Sequence, residues 1–320
     1  MSASEEPKVS VVIPCFNAER TIADQLEALE TQKDAPKFEV LIIDNGSTDK
    51  SREIVQNFAK HASVPFRVIE AHSYQGASYA RNVGVSRSIA DRIMFCDADD
   101  VVSQWWISHG NQCFERSPVW NGAAILLSDK QFEGTVDQIR AEFGDSPVFE
   151  EPVAAASSAF PVLMGGNFGA TKSVLQEVQG FDQSFFGAGE DNDLGFRLRK
   201  AGYAYPNAPS VRIGYRGKWD SKFIRKLAFR QAKAHTLIAT RYEAWSESPM
   251  PRVHRELVRV SGSTILMALG KKERNWSGLS SRAAILAGLI AGKTQYKVFG
   301  RIPQTLIGVG MNDEDKGSQP

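Results

Sequence analysis

Cysteine is scarce in this sequence: Cys15, Cys96 and Cys113 are the only three in 320 residues, and no two form a CxxC pair. An odd, scattered set argues against a disulfide framework or a structural zinc site and fits a reducing compartment. Long apolar runs are missing as well. The longest uninterrupted stretch of apolar residues and glycine, 283–292, is ten residues, half of the ~20 that cross a bilayer. The polar, acidic start at residues 1–7 has no signal-peptide core, so a cytoplasmic protein is expected. No GxGxxG follows the first apolar run, which sets a dinucleotide-dependent dehydrogenase aside. Nor is there an excess of one charge: the net formal charge is +1.

That balance hides an asymmetry. Residues 216–301 hold 18 Lys and Arg against 5 Asp and Glu, a surplus of +13 that leaves −12 for the remainder. An acidic body with a basic C-terminal segment points to an anionic partner for that segment. A solvated helical face is the plain alternative, and nucleic acid is disfavoured because no reading motif accompanies the charge. The expectation is peripheral contact with an anionic membrane, with Trp245, Trp276 and residues 283–290 reaching the interface.

What is present is an ordinary globular composition, 42% hydrophobic and 23% charged, in a length that suits one large domain or two packed lobes. From 8 to 103 short apolar runs alternate with amphipathic stretches: strands at 9–13, 38–43, 66–69 and 92–96, helices at 19–32, after the caps Ser47, Thr48 and Asp49, and at 77–88. This order predicts an α/β fold with right-handed crossovers and a mostly parallel sheet. Residues 104–158 are hard to assign. Helices are expected at 171–178 and after Glu190, and again in amphipathic stretches at 223–238 and 253–269. The division expected is a tail at 1–7, a nucleotide-sugar-binding half at 8–103, an acceptor-binding and catalytic half at 104–215, a basic helical segment at 216–311 and a tail at 312–320.

The informative residues follow the strands. Pro14, Phe16 and Asn17 come after the first, Asp44, Asn45 and Gly46 after the second, and Asp97, Asp99 and Asp100 after the fourth. Ends of parallel strands share one sheet edge, where open α/β folds bind ligands. Two carboxylates two residues apart on an extended segment face the same way, so Asp97 and Asp99 can meet one hard cation, Mg²⁺ or Mn²⁺. A helix-capping acidic cluster is the weaker alternative. Asp44 or Asn45 could read a base edge, although taken alone the motif is better read as a plain strand-to-helix turn. Glu190 and Asp191 stand together at a helix start, behind a loop with Gly187 and Gly189. Trp105 and Trp106 could stack on a sugar ring or pack in the core. His235 and His254 read as surface or half-buried side chains rather than ligands.

Several motifs in register resemble family 2 glycosyltransferases: VSVVIPCFN at 9–17, IDNGSTD at 43–49, GASYARNVG at 76–84, FCDADD at 95–100, GN at 166–167 and GFDQSFFGAGEDNDL at 180–194. The resemblance covers roughly residues 8–203. It implies a GT-A fold and inverting transfer of a sugar from a nucleotide diphosphate to a glycan or lipid-linked acceptor, as in cell-surface polysaccharide or glycolipid synthesis. By position it implies that Pro14, Phe16, Asn17 and Glu19 line the nucleotide pocket, with Asp44 and Asn45 near the base. Asp97 would contact ribose or metal, Asp99 would hold the divalent ion, and Asp191, in its pair with Glu190, would be the general base. Arg81 is a weaker candidate for a phosphate. Many relatives carry a His about twenty residues after the acidic pair; the stretch 211–217 has none, and Arg216 could take up diphosphate charge instead. Asn45 leaves uridine or thymidine donors open. A sugar nucleotidyltransferase or an inactive glycan-binding scaffold is the competing expectation, the first weakened by the absence of a Gly-rich basic loop at 14–20, the second by the intact acidic motifs.

Overall fold

Buried parallel strands read as continuous apolar runs because both of their faces are covered, as in β1 (Val9–Cys15), β2 (Phe38–Asp44) and β4 (Arg92–Cys96); β3 (Phe66–Glu70) completes the first half of the sheet as a partly exposed edge strand. The computed structural model describes residues 6–155, 162–185, 187–217, 220–246, 249–271 and 273–311. Most of the two expected tails, residues 1–5 and 312–320, lies outside the described residues. Helices α1 (Ile22–Glu30), α2 (Ser51–Ala59) and α3 (Ala77–Arg87) connect the four strands. Pairings β3-β2-β1-β4 are all parallel. Side chains alternate between the two faces: Val9, Val11 and Ile13 enter one core layer, while Val12 enters the other with Leu41, Ile43 and Phe95.

Of the three expected caps of α2 only Asp49 serves the helix start, its Oδ1 accepting from Ser51 N–H at 3.0 Å. The helix starts at Ser51 behind Lys50, whose own side chain does not cap it. Ser47 and Thr48 bond to the loop after β1, and so does the second carboxylate oxygen of Asp49. Asn17 N–H donates to Ser47 Oγ and Thr48 N–H to Asn17 Oδ1, Glu19 N–H donates to Asp49 Oδ2, and Lys50 N–H donates to Glu19 Oε2. The two turns are stitched together, which meets backbone donors that a cap would otherwise serve.

The second half adds β5 (Val101–Val102), α4 (Trp106–Phe114), β6 (Val119–Leu127), a 3₁₀ turn (Asp129–Phe132), α5 (Val136–Glu142), β7 (Asn167–Thr171), α6 (Lys172–Glu177), α7 (Glu190–Lys200) and β8 (Asn207–Arg216). One sheet of eight strands results, in the order β3-β2-β1-β4-β7-β6-β8-β5. Only β7 and β5 run against the others, so the sheet is mostly parallel, as expected. Asn167 secures its centre. Its Oδ1 accepts from Trp106 Nε1 at 2.9 Å, and its Nδ2 donates to the carbonyls of Ala123 and Val211, both at 2.8 Å. Trp106 is therefore a core residue, fully buried, and the sugar-stacking alternative falls away for it.

The basic segment is helical: α8 (Ser221–Arg241), α9 (Val253–Ala268) and α10 (Trp276–Gly292), which runs into a π-helical turn (Lys293–Val298). Asp220 caps α8 by accepting from Phe223 N–H at 2.7 Å, an arrangement that stabilises a helix by ~1 kcal/mol. The segment docks through buried charge. Arg241 Nη1 lies 2.7 Å from Asp182 Oδ2, and Tyr242 OH donates to Asp193 Oδ1 at 2.8 Å. The chain then returns to the body, where Asp182 pairs with Ile307 and Asn82 Nδ2 donates to the carbonyls of Phe181 and Val309.

Candidate active site

The carboxyl ends of β1, β2 and β4 open onto a cavity of about 1280 Å³. It brings together Pro14, Phe16, Asn17, Glu19, Asn45, Arg81, Asp97, Asp99, Glu190 and Arg216. All but Glu19 and Arg216 come from five separate motifs, and all were expected there. Phe16 stands half-exposed at 53% on the lip, with its ring available to a flat ligand. Asp44 and Asp191 do not form the wall. Asp44 is buried beneath it, accepting from Ser47 N–H at 3.1 Å, with Oδ2 3.4 Å from His72 Nε2.

Asn45 departs from expectation in a similar way. Both hydrogens of its amide are committed, Nδ2 donating to the carbonyls of Ala71 and Tyr74, and Oδ1 accepts from Gly76 N–H at 2.7 Å. An amide so engaged has no free donor–acceptor pair to offer a pyrimidine. Its role in the structure is to shape the loop that leads into α3.

Arg81 is the hub of the site. It is 4% exposed. Nη2 donates to Asp97 Oδ1 at 2.9 Å, and Nη1 lies 3.6 Å from Glu190 Oε1. Burial alone would lower its pKa, but Asp97, Glu190 and Asp191 together hold it above its ordinary value. A guanidinium suits this place because its planar fork serves several carboxylates at once.

The acidic pair begins α7. Gly189 precedes it with φ +93°, a left-handed conformation, and a Cβ there would meet Ala234 Cβ at 2.8 Å; only glycine turns the chain into the helix at this point. Glu190 is pushed up to about 7, first by burial and then by Asp191, against the pull of Arg81. Its Oε2 is buried with no hydrogen-bond partner among the described residues. Asp191 is also raised, chiefly by burial, while N–H bonds from Asn192 (2.7 Å) and Gly165 (3.4 Å) pull it down. Two acids this close titrate as a pair, so the upward direction belongs to both.

Asp97, Asp99 and Asp100 each offer a carboxylate oxygen within 4.8 Å of the others. Gly166 leaves room beside them, since a Cβ there would stand 2.6 Å from Asp97 Oδ2. Hard oxygen donors at this spacing fit a small divalent cation. Arg216, at the end of β8, borders the same cluster. Its N–H donates to Asp100 Oδ1 and its Nε to Asp99 O, both at 3.0 Å, and its guanidinium lies 3.7 Å over the Phe132 ring. It also reaches Asp24 Oδ2 at 3.2 Å.

Other wall residues were not foreseen. Asp129, Phe132 and Glu133 come from the stretch at 104–158 that resisted assignment, and Tyr215, Phe223 and Leu227 from β8 and α8. No spacing or motif marks them. The cysteines are buried and unpaired as expected; burial raises Cys15 to about 11 and Cys113 to about 12, where thiols are inert at neutral pH. His235 is largely buried, which lowers it to about 4.

The model of the family described as "Glycosyl transferase family 2" matches residues 10–176. Curated relatives include glycosyltransferase AglE of Haloferax volcanii, 35% identical over 105 residues that make up 32% of this chain and 34% of that protein. Poly(ribitol-phosphate) beta-N-acetylglucosaminyltransferase TarS of Staphylococcus aureus is 32% identical over 99 residues, 30% of this chain and 17% of TarS. Validoxylamine A glucosyltransferase of Streptomyces hygroscopicus is 26% identical over 228 residues, 63% of this chain and 50% of that enzyme. The chain thus spans half or less of the length of these relatives. Among solved structures, mannosyltransferase PcManGT of Pyrobaculum calidifontis, in complex with GDP-Man and Mn²⁺, superposes with a TM-score of 0.60 at 16% identity, covering 90% of this chain and 88% of that one. TarS 1-349 in complex with UDP-GlcNAc gives 0.52 at 16% identity, covering 91% and 92%. Both share the GT-A fold described above. The matched stretch exceeds half of the sequence and carries the strands, the acidic cluster and Arg81 in their expected places: the chain belongs to glycosyl transferase family 2.

Proposed function

We propose that the protein is an inverting, metal-dependent glycosyltransferase that moves a sugar from a nucleoside diphosphate to a glycan or lipid-linked acceptor of the cell surface. The observation that carries this reading is the single cavity that joins the Asp97–Asp99 cluster to Glu190 across Arg81. Relatives bound to UDP-GlcNAc and GDP-Man support a nucleotide-sugar donor. The UDP-GlcNAc bound by TarS, rather than Asn45, favours a UDP- or dTDP-sugar as donor, with Pro14, Phe16, Asn17 and Glu19 around the nucleoside.

Asp97 and Asp99 would hold Mg²⁺ or Mn²⁺, which when bound neutralises the charge that grows on a departing diphosphate. The protein's own cations act on the same charge. Arg216, fixed by Asp99 O, Asp24 and the Phe132 ring, is pre-organised near it. Arg81 keeps Asp97 and Glu190 in register and limits the repulsion between them. The acceptor hydroxyl attacks the anomeric carbon from the face opposite the diphosphate, and Asp191 takes its proton. A second assignment has an observation of its own: Glu190 forms the cavity wall and has an unpartnered buried oxygen, whereas Asp191 sits behind it, which would make Glu190 the proton acceptor and Asp191 its neighbour in charge.

This reading places the protein in the cytoplasm, where nucleotide sugars are made, with its basic segment against the inner face of an anionic membrane. The donor is tested by titrating the purified protein with a panel of nucleotide sugars, with and without Mn²⁺, and following thermal stability. A Mn²⁺-dependent shift with one donor class is expected, and Asp99→Asn should abolish it. Undiminished binding by Asp99→Asn would remove the metal from the scheme.

A further inference from the structure

Helix α9 carries apolar side chains on its outward side as well as its inward one, where Val253 and Val260 are half-buried. Its buried side chains are Glu256 and Met267, and Glu256 is neutralised by Arg259 at 3.4 Å and Arg282 at 3.1 Å. At 100° per residue those two positions lie on one side of the helix, and Val258, Ile265 and Leu269 lie on the opposite side. These three are 70%, 57% and 62% exposed, with Leu257 and Leu266 beside them at 52% and 43%. These apolar side chains face outward near both ends of the helix, with Ser261 and Gly262 between them on the same side, and large exposed apolar residues grouped in this way are not the pattern of a solvated surface helix.

The charge around the stripe selects its partner. Residues 252–301 contain 10 Lys and Arg against 2 Asp and Glu, and one of those two acids is the buried, paired Glu256. Arg255 flanks the stripe on the wheel, and Lys271 and Arg274 follow it, all exposed. Trp276, at the start of α10, is 58% exposed; an indole of this kind prefers the boundary between headgroups and acyl chains. Where α9 begins, Arg252 and His254 help to line a cavity of about 250 Å³ with Lys293 and Lys297, whose ammonium groups lie 5.5 and 4.8 Å from the Trp245 ring. A cationic, apolar, outward face suits an anionic lipid surface. A second copy of the same face would set like charges against each other.

Residues expected to enter the interface are thereby reassigned. Residues 283–290 of α10 include the buried Leu286, Gly288 and Leu289, and a Cβ on Gly288 would meet the Phe229 carbonyl of α8 at 2.4 Å. Leu286, Gly288 and Leu289 pack inward, while Ile290 of the same stretch stays 47% exposed. Trp245 is half-buried under its two lysines.

We propose that α9 is an interfacial helix that lays Val258, Ile265 and Leu269 into the headgroup region of an anionic phospholipid membrane, with Arg255, Lys271, Arg274 and Trp276 at the boundary. The proposal deepens the peripheral-membrane reading and rests on it for the identity of the partner; it is independent of the transfer chemistry. No described helix is long and apolar enough to cross a bilayer, so the contact is reversible and electrostatically tuned.

The test is co-sedimentation of the full chain with vesicles of phosphatidylcholine alone or mixed with phosphatidylglycerol. Wild type should pellet with the mixed vesicles only and be released by high salt. A Val258→Ser, Ile265→Ser, Leu269→Ser variant should bind them about tenfold more weakly or worse, with the nucleotide-sugar thermal shift intact as evidence of folding. Wild-type failure to pellet would sink both the membrane reading and this one. Pelleting of the variant like wild type would overturn the assignment to α9 alone. A concentration-dependent dimer in sedimentation velocity, lost in the variant and unaccompanied by vesicle binding, would give the face to a second copy and likewise overturn it.

Discussion

Arg81 and Glu190 face each other across 3.6 Å in a setting almost closed to solvent, with side-chain exposures of 5% and 16%. The same guanidinium is bonded to Asp97. The end that would hold the donor's charge and the end that would take the acceptor's proton are thus braced by one side chain, and a disturbance at either end reaches the other.

Turnover separates the two acids. Asp191→Asn should lower kcat by about a hundredfold or more while leaving donor affinity near wild type. If Glu190 is the proton acceptor, Glu190→Gln produces that loss and Asp191→Asn the milder one. Steady-state kinetics and donor titration on both variants decide the matter.

Stability should depend on pH through the same pair. Glu190 is raised from 4.5 to about 7 in the folded protein. Between those values the native state holds a proton that the unfolded chain has released, so stability falls as pH rises through this window, the reverse of a salt-bridged carboxylate. Denaturant melts across it should show a declining slope that Glu190→Gln flattens. Activity should move the opposite way and climb as the pair loses its proton.

Gly166→Ala probes the acidic cluster without altering a charge. The new methyl would stand 2.6 Å from Asp97 Oδ2, and Asp97 is already held by Arg81. The carboxylate must turn away. Mn²⁺-dependent donor affinity should drop by about tenfold, whereas binding without metal should change little; calorimetric titration in the two conditions measures the difference.

Arg241→Met strips the cation from Asp182, which is 0% exposed, while Asp193 keeps Arg197 at 2.9 Å. Loss of one partner from a buried pair costs about 3–5 kcal/mol. The loop from 182 to 189 and the returning chain near Leu306, whose N–H donates to Asp182 Oδ1 at 2.9 Å, should loosen together. Chemical denaturation gives the energy, and amide exchange at 182–190 and 303–309 shows where it is lost.

Strands β1, β2 and β4 were legible because residues with both faces buried leave largely apolar runs, and β4 matches its expected bounds to the residue. The acidic cluster was legible because carboxylates at a strand end need a reason. Other parts left no such trace. β7, with the sequence NFGAT, holds small and polar residues because Gly169 must admit Trp120 and Asn167 must bond three neighbours. Asp129 and Glu133 reach the cavity from a 3₁₀ turn too short to set up a periodicity. Asn45 was visible as a residue of interest, but the three hydrogen bonds that occupy its amide come from a loop about thirty residues away. The outward stripe of α9 had helical spacing in the sequence; which way it faced was decided by Glu256, whose burial depends on Arg282 of the next helix.

The stitched turns after β1 and β2 limit how this rim can diverge. Asn17, Glu19, Ser47, Thr48 and Asp49 each hold a backbone or side-chain atom of the opposite loop. Neither loop can be redrawn alone, because a lone exchange strands its counterpart before it alters which guest is admitted. A change in what this rim admits would therefore call for matched substitutions some thirty positions apart.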